Sequence, residues 1–159
     1  MIVVSDTSIL IYLKHIGKLY LLRELYGSIC IPKAVAHELA PRPGKPSLLI
    51  DTDWVKIANA ELKQALSEDL GISELDQGER EAIAIAYSRN ADLLLIDEKL
   101  GRDAAQRLGI PLTGLLGVLK AAKGLGLIEA VKPLGDQAIK AGYRIDSKLY
   151  TSFLKGMDE

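Results

Sequence analysis

Short, continuous apolar runs alternate along the chain with longer stretches whose apolar positions recur at helical spacing. Ile2-Val3-Val4 is a β-branched run that stops at Ser5-Asp6, predicting a buried strand with Asp6 at its carboxyl end. Thr7-Ser8 then opens a helix carrying Ile9, Ile11, Tyr12 and Leu13, and a second helix over about Leu19 to Leu25 stops at Gly27. Ser28 to Ile31 reads as another short strand. Pro32 suits the first turn of a helix running to about Ala40, which Pro41, Pro43 and Pro46 bring to an end. Asp53 to Ile57 has the pattern of a strand, and Glu61 to Leu70 that of a polar helix.

Asp76-Gln77-Gly78-Glu79 has the form of a helix start, with Asp76 as the cap and Glu79 three residues on. That helix continues through Ala82, Ile83, Ala86 and Tyr87 to about Asn90. Ala91 to Asp97 is the clearest strand, an apolar run again ending in an acid. Its apolarity is continuous rather than alternating, which predicts burial on both faces, as in a parallel sheet. A helix from about Leu100 to Leu108 stops at Gly109, Ile110 to Thr113 is a short strand, and helices fill most of the chain beyond residue 114. Strands alternating with helices define an α/β fold. The chain's 159 residues suffice for one domain with a sizeable core and fall short of two, so 1–159 is read as one unit without repeats or linkers.

Composition adds little to this picture, and charge distribution more. Hydrophobic residues make up 48% and charged ones 26%, an ordinary globular balance. The lone Cys30 has no partner for an internal disulfide and lies in an apolar run, which suits a reducing cytoplasm and a packing role. The apolar N-terminus is broken at once by Ser5 and Asp6, so neither a signal peptide nor a membrane span is expected. The net charge is −1, but six acids against one base lie between Glu68 and Glu81. Between Lys99 and Lys148, nine bases meet four acids, an excess of five positive charges. A basic half suits a phosphate backbone and an acidic patch suits a cation; solvated helix faces would give the same count.

Asp6 and Asp97 each end an apolar strand. In open parallel sheets, ligands bind outside the carboxyl ends of the strands. Two carboxylates there repel each other unless one is protonated or a cation lies between them. Hard divalent ions take oxygen ligands of this kind. Each residue also has a purely local explanation: either Asp could cap the helix that follows it, Glu38 could be a solvated helix residue, and Glu79 could complete a capping box with Asp76. The histidines, His15 and His37, share no cluster, which argues against zinc or a histidine base.

Taken in order, four segments resemble the PIN-domain ribonuclease family. They are Val3-Val4-Ser5-Asp6-Thr7-Ser8, Val35-Ala36-His37-Glu38-Leu39, Leu75 to Ala84 around Glu79, and Leu94-Leu95-Ile96-Asp97-Glu98 with Arg102 one turn on. Leu112 to Ala122 with Gly126-Leu127-Ile128 also resembles a VapC-like, prokaryotic PIN-like branch, so the likeness covers nearly the whole chain. The resemblance implies a three-layer fold, a central parallel sheet flanked by helices. It implies Mg²⁺ or Mn²⁺ bound by Asp6, Glu38, Glu79 and Asp97, with Ser8, Glu81, Glu98 and Arg102 as supporting polar residues. Glu79 and Glu98 stand where aspartate is common in the family, which changes reach but not charge.

The activity implied is hydrolysis of RNA phosphodiester bonds, with the metal supplying hydroxide and neutralising charge on the scissile phosphate. The same resemblance implies an antitoxin partner and a homodimer, for which the aliphatic N-terminal helices offer an interface. Two other readings compete. A PIN-fold module acting through protein or nucleic-acid contacts would bind Mg²⁺ without cutting RNA. Phosphoryl transfer through an aspartyl-phosphate on Asp6 would want a second Asp two residues on, where the chain has Ser8, and a receiver-type domain would want its acceptor on a later strand.

Overall fold

The computed structural model of the chain describes residues 1–39 and 53–159. The expected end of the third helix at Ala40 and the stops at Pro41, Pro43 and Pro46 lie outside the described residues. The first half runs β1 (Val3–Ser5), α1 (Thr7–His15), α2 (Leu21–Tyr26), β2 (Ile29–Pro32), α3 (Lys33–Glu38), β3 (Val55–Ala58) and α4 (Gln64–Leu70). A 3-10 turn, Ile72–Glu74, leads into α5 (Gln77–Ser88), β4 (Leu93–Leu95), α6 (Lys99–Arg107) and β5 (Leu112–Thr113). Three helices complete the chain: α7 (Leu115–Gly124), α8 (Lys132–Lys140) and α9 (Ser147–Lys155).

The described strands form one all-parallel sheet in the order β3-β2-β1-β4-β5. Its central strands are apolar because helices cover both faces: Val3, Val4, Leu94 and Leu95 are all at most 1% exposed. Val3, Leu95 and Ile29 face a layer built from α1, α2 and α7 with help from α8 and α9. Val4, Leu94 and Cys30 face the other layer, where α5 and α6 pack through Ala82, Ile83, Ala86, Ala104 and Ala105. Small alanines let these helices lie close to the sheet, and each large aliphatic side chain buried between the layers contributes about 1.5–3 kcal/mol. The three-layer architecture is the one expected.

The apolar run in α1 is directed inward. Ile9, Leu10 and Leu13 are at most 2% exposed, and Ile11 alone of that run is largely solvent-facing, at 42%. Chain direction matters most at β1. From it the chain moves outward through β2 to β3, then returns to add β4 on the other side of β1, pairing Val3 with Leu93 and Ser5 with Leu95. The strand order therefore reverses between β1 and β4, and at such a point the loops leaving the two strands part to leave a crevice. Among the described residues no helix is long and apolar enough to cross a membrane.

Candidate active site

Asp6 and Asp97 both leave the carboxyl ends of strands at this reversal. The Asp6 amide donates to the Leu95 carbonyl (3.1 Å), which ties it to β4. Asp6 is also the cap of α1, accepting from the Ile9 amide at 3.3 Å. Its other donor is the Ser8 hydroxyl, at 3.4 Å from Oδ1 and 3.3 Å from Oδ2. All of these side-chain contacts sit at the long end of the hydrogen-bond range, yet the residue is only 1% exposed. Burial, with added repulsion from the charges of Asp97 and Glu79, pushes its pKa up to about 8, against the pull of the Ile9 amide and Ser8. Capping alone is a poor account of such a carboxyl: an N-cap normally sits partly in water with a short bond to the helix.

Asp97 is held differently. The first amide of α7, Leu115, donates to its Oδ2 at 2.9 Å, and the Tyr143 hydroxyl donates to its Oδ1 at 3.0 Å. Arg102 of α6 stands 3.9 Å from Oδ1. Burial raises the pKa of Asp97, and these three neighbours pull it back. The carboxylate of Asp97 is therefore fixed in orientation, whereas that of Asp6 is buried with weak partners.

Glu79 lies on the first turn of α5. The capping expected there is present: its amide donates to Asp76 Oδ1 at 2.8 Å. Its carboxyl is nevertheless strongly perturbed. Burial, then the charges of Asp76, Glu98 and Glu38, raise it to about 7, with the Asp76 amide opposing them. Glu38, the last residue of α3, is exposed, and the Thr7 hydroxyl donates to its Oε2 at 2.7 Å. Since Thr7 adjoins Asp6, this bond turns the Glu38 head towards the strand end. Gly78 lets α5 approach: a β-carbon there would lie 3.2 Å from Glu38 Oε1 and 3.4 Å from Thr7 Oγ1.

The charges of the four acids bear on one another in series, Asp97 and Glu79 on Asp6 and Glu38 on Glu79. They do not close around a common point. Among the described residues, no three Asp, Glu, His or Cys side chains lie near enough together, as placed, to hold a metal ion. The donor chemistry still fits a hard divalent cation: every donor is a carboxylate oxygen, and burial, with repulsion between neighbouring acids added to it, raises Asp6 and Glu79. Glu38 is exposed and Glu79 partly so, and neither side chain is locked inside the core.

The supporting residues divide. Ser8 and Arg102 touch Asp6 and Asp97. Glu98 caps α6, accepting from the Leu100 amide at 3.1 Å, and bears on Glu79 only through its charge. Glu81 accepts from the Ala34 amide at 3.2 Å and from the Gln77 side chain at 3.0 Å, which ties α5 to the start of α3, and it lines a surface cavity together with Glu38. Two residues along a helix turn a side chain by roughly 200°, so Glu79 and Glu81 cannot face the same crevice. Nothing in the sequence signals roles for Tyr143 and Gly114, nor that Thr7, part of the first resembling segment, donates to Glu38. Tyr143 lies 46 positions from its partner Asp97, and nothing local marks it.

Strand-end acids at the switch point of a parallel sheet covered on both faces place the chain in the class of α/β proteins whose ligands bind at the strand ends. A family profile described as a PIN domain matches residues 2–159, and the chain belongs to that family, whose members are generally nucleases. No curated protein matches the chain.

Proposed function

We propose that the protein is a Mg²⁺- or Mn²⁺-dependent endoribonuclease that hydrolyses RNA phosphodiester bonds at the β1–β4 crevice. The observation that carries this reading is the buried Asp6 carboxyl, weakly hydrogen-bonded and repelled by Asp97 and Glu79. A buried anion of that kind is stable only when protonated or paired with a cation. Asp6 and Asp97 would hold the ion directly, and Glu38 and Glu79 would hold it directly or through its waters. When bound, such an ion lowers the pKa of a coordinated water and neutralises charge on the scissile phosphate.

The chain's own groups supply the rest. Tyr143, the Leu115 amide and Arg102 orient Asp97. Ser8 and the Ile9 amide orient Asp6, and Thr7 orients Glu38. Arg102 also places a cation 3.9 Å from Asp97, and bases beyond it on the C-terminal half can follow an RNA backbone. Several of those bases are already engaged, Lys123 with Glu159 and Lys132 with Asp136, both at 2.8 Å, so the free positive charge is smaller than the sequence count.

The test is RNA cleavage by the purified protein in Mg²⁺ or Mn²⁺, with Asp6→Asn and a chelator as controls. Cleavage abolished by both, with the fold intact, supports the reading; full activity in Asp6→Asn defeats it. A second reading, a PIN-fold module that binds without cutting, draws on the acids not closing around an ion as placed. Mn²⁺ binding without cleavage of any RNA would favour it.

The VapC-like resemblance of the sequence, which implies the toxin of a toxin–antitoxin pair, further supports a small antitoxin partner and a homodimer, acting in the cytoplasm. Since α1 turns most of its apolar residues into the core, a dimer face there would have to rest on the exposed Ile11 and Tyr20. The mass of the purified chain in solution tests the dimer, and co-purification with the product of a neighbouring gene tests the partner.

A further inference from the structure

We infer that Tyr143 is a positioning residue for Asp97: its hydroxyl fixes the orientation of the carboxylate, and through it the C-terminal helices control the metal-binding competence of the crevice. The inference rests on the proposed metal site, but the geometry behind it belongs to the chain alone. Tyr143 lies in the short connection between α8 and α9 and is 9% exposed. Its amide donates to the Ala138 carbonyl at 2.9 Å, which pins the backbone to the end of α8. Its ring meets the Tyr12 ring of α1 edge-on, with centroids 5.4 Å apart at 74°, the favoured aromatic geometry. Held at both ends, the side chain can deliver its hydroxyl to one place, Oδ1 of Asp97 at 3.0 Å.

The consequence comes from counting acceptor sites. A carboxylate offers two lone-pair directions on each oxygen. On Asp97, the Leu115 amide takes one direction on Oδ2 and Tyr143 takes one on Oδ1. One direction on each oxygen is left, and the plane of the group is set, so the remaining lone pairs point where the backbone of α7 and the Tyr143 loop dictate. Without the hydroxyl, Oδ1 keeps only Arg102 at 3.9 Å, beyond hydrogen-bonding distance, and the carboxylate can rotate about its single remaining short bond. Groups that orient a metal-binding carboxylate in this way typically change metal affinity by about 10–100-fold when removed. An ordinary buried tyrosine would satisfy its hydroxyl on any carbonyl; this one reaches from α8–α9 across to a strand-end acid.

The experiment uses full-length protein and Mn²⁺ alone as probe. In Tyr143→Phe, Mn²⁺ should bind about tenfold more weakly by calorimetry. In the metal-free protein, the ¹³C resonance of the Asp97 carboxyl, assigned through Asp97→Asn, should move while that of Asp6 stays. A merely structural hydroxyl would lower thermal stability, and would move the Asp97 resonance through the lost hydrogen bond, yet leave Mn²⁺ affinity where it was; unchanged affinity overturns the inference while leaving the proposed nuclease standing. Tyr12→Leu, which unseats the ring but keeps the hydroxyl, should give a smaller loss of Mn²⁺ affinity in the same direction; it decides the matter if Tyr143→Phe does not fold, and unchanged affinity there overturns the inference. Wild-type protein that neither binds Mn²⁺ nor cuts RNA overturns both proposals together.

Discussion

Gly114 runs so close to Asp97 that a β-carbon built on it would stand 2.0 Å from Oδ1 of the carboxylate and 2.9 Å from its Cγ. The backbone at Gly114 is extended (φ −102°, ψ −169°), so any residue could adopt it; the glycine is needed for space alone. The neighbour cannot yield cheaply, since the carboxylate is fixed by Leu115 and Tyr143. Gly114→Ala should therefore displace Asp97, cost about 1–3 kcal/mol of stability by overpacking, and lower metal-supported cleavage by about tenfold or more. Gly101 is the control. A β-carbon there meets the far end of the Ile96 side chain at 2.6 Å, which can rotate, so Gly101→Ala should be mild in both thermal denaturation and cleavage assays.

The acid cluster also gives the metal-free protein an unusual dependence on pH. Asp6 has its pKa raised from 3.8 to about 8 by burial and by neighbouring acids, and Glu79 from 4.5 to about 7. Between the unfolded and folded values, the folded state binds more protons than the unfolded one, so stability falls as pH rises across that window. In chelator, the melting temperature should decline from about pH 4 to about pH 8 as these groups are forced to ionise. Saturating Mn²⁺ should restore it, because the ion binds only the folded state. Asp6→Asn should flatten the metal-free profile and remove the Mn²⁺ response. A wild-type melting temperature that climbs steadily over this range would refute the assignment.

Much of the fold is legible in the sequence because its elements obey single-period rules. The run from Leu93 to Ile96 is apolar without alternation, and the successive residues Leu94 and Leu95 of β4, which face opposite sides of the sheet, are both fully buried as that requires. Asp76 and Glu79 mark the start of α5, and Gly27 and Gly109 take the positive φ that ends a helix. The site is legible only in part, because sequence neighbours are not spatial neighbours. Glu81 stands two positions from Glu79 and groups with it along the chain, but helical rotation sends it to Ala34. Tyr143 sits among helices that carry no chemical signal, and it is the crossing of α1 by the α8–α9 connection that brings its hydroxyl to Asp97. The 3-10 turn before α5 likewise has no periodic pattern to reveal it.

The separation of Glu79 from Glu81 can be read from paired variants. Glu79→Gln removes a carboxylate that repels its neighbours, so it should leave the metal-free protein as stable as wild type or more so while abolishing most cleavage. Glu81→Gln weakens a charged acceptor at the start of α3, where it meets the Ala34 amide at 3.2 Å. It should cost about 0.5–2 kcal/mol, in the range of a lost helix cap, and leave cleavage per folded molecule near the wild-type level. Chemical denaturation alongside a cleavage assay separates the two effects, and loss of activity in Glu81→Gln without loss of stability would return that residue to the site.

Thr7 offers the last test, because it joins a strand-end loop to an otherwise exposed acid. Its hydroxyl donates to Glu38 Oε2 at 2.7 Å, and Glu38 is a long side chain at the end of the six-residue α3. Holding such a chain in one rotamer costs up to about 2 kcal/mol of entropy, which a charge-assisted hydrogen bond of about 1.5–3 kcal/mol can offset. Thr7→Val keeps the shape and the β-branch while removing the donor. Glu38 should then sample solvent, and Mn²⁺ affinity should fall by a few-fold, about what loss of roughly 1 kcal/mol of preorganisation gives. Stability should change little, because the bond lies at the exposed rim and both groups regain water. Glu38→Gln should weaken binding more than Thr7→Val, and the double variant should be no weaker than Glu38→Gln alone, since the hydroxyl acts only through that carboxylate. Additive losses in the double variant would show that Thr7 serves the crevice by another route.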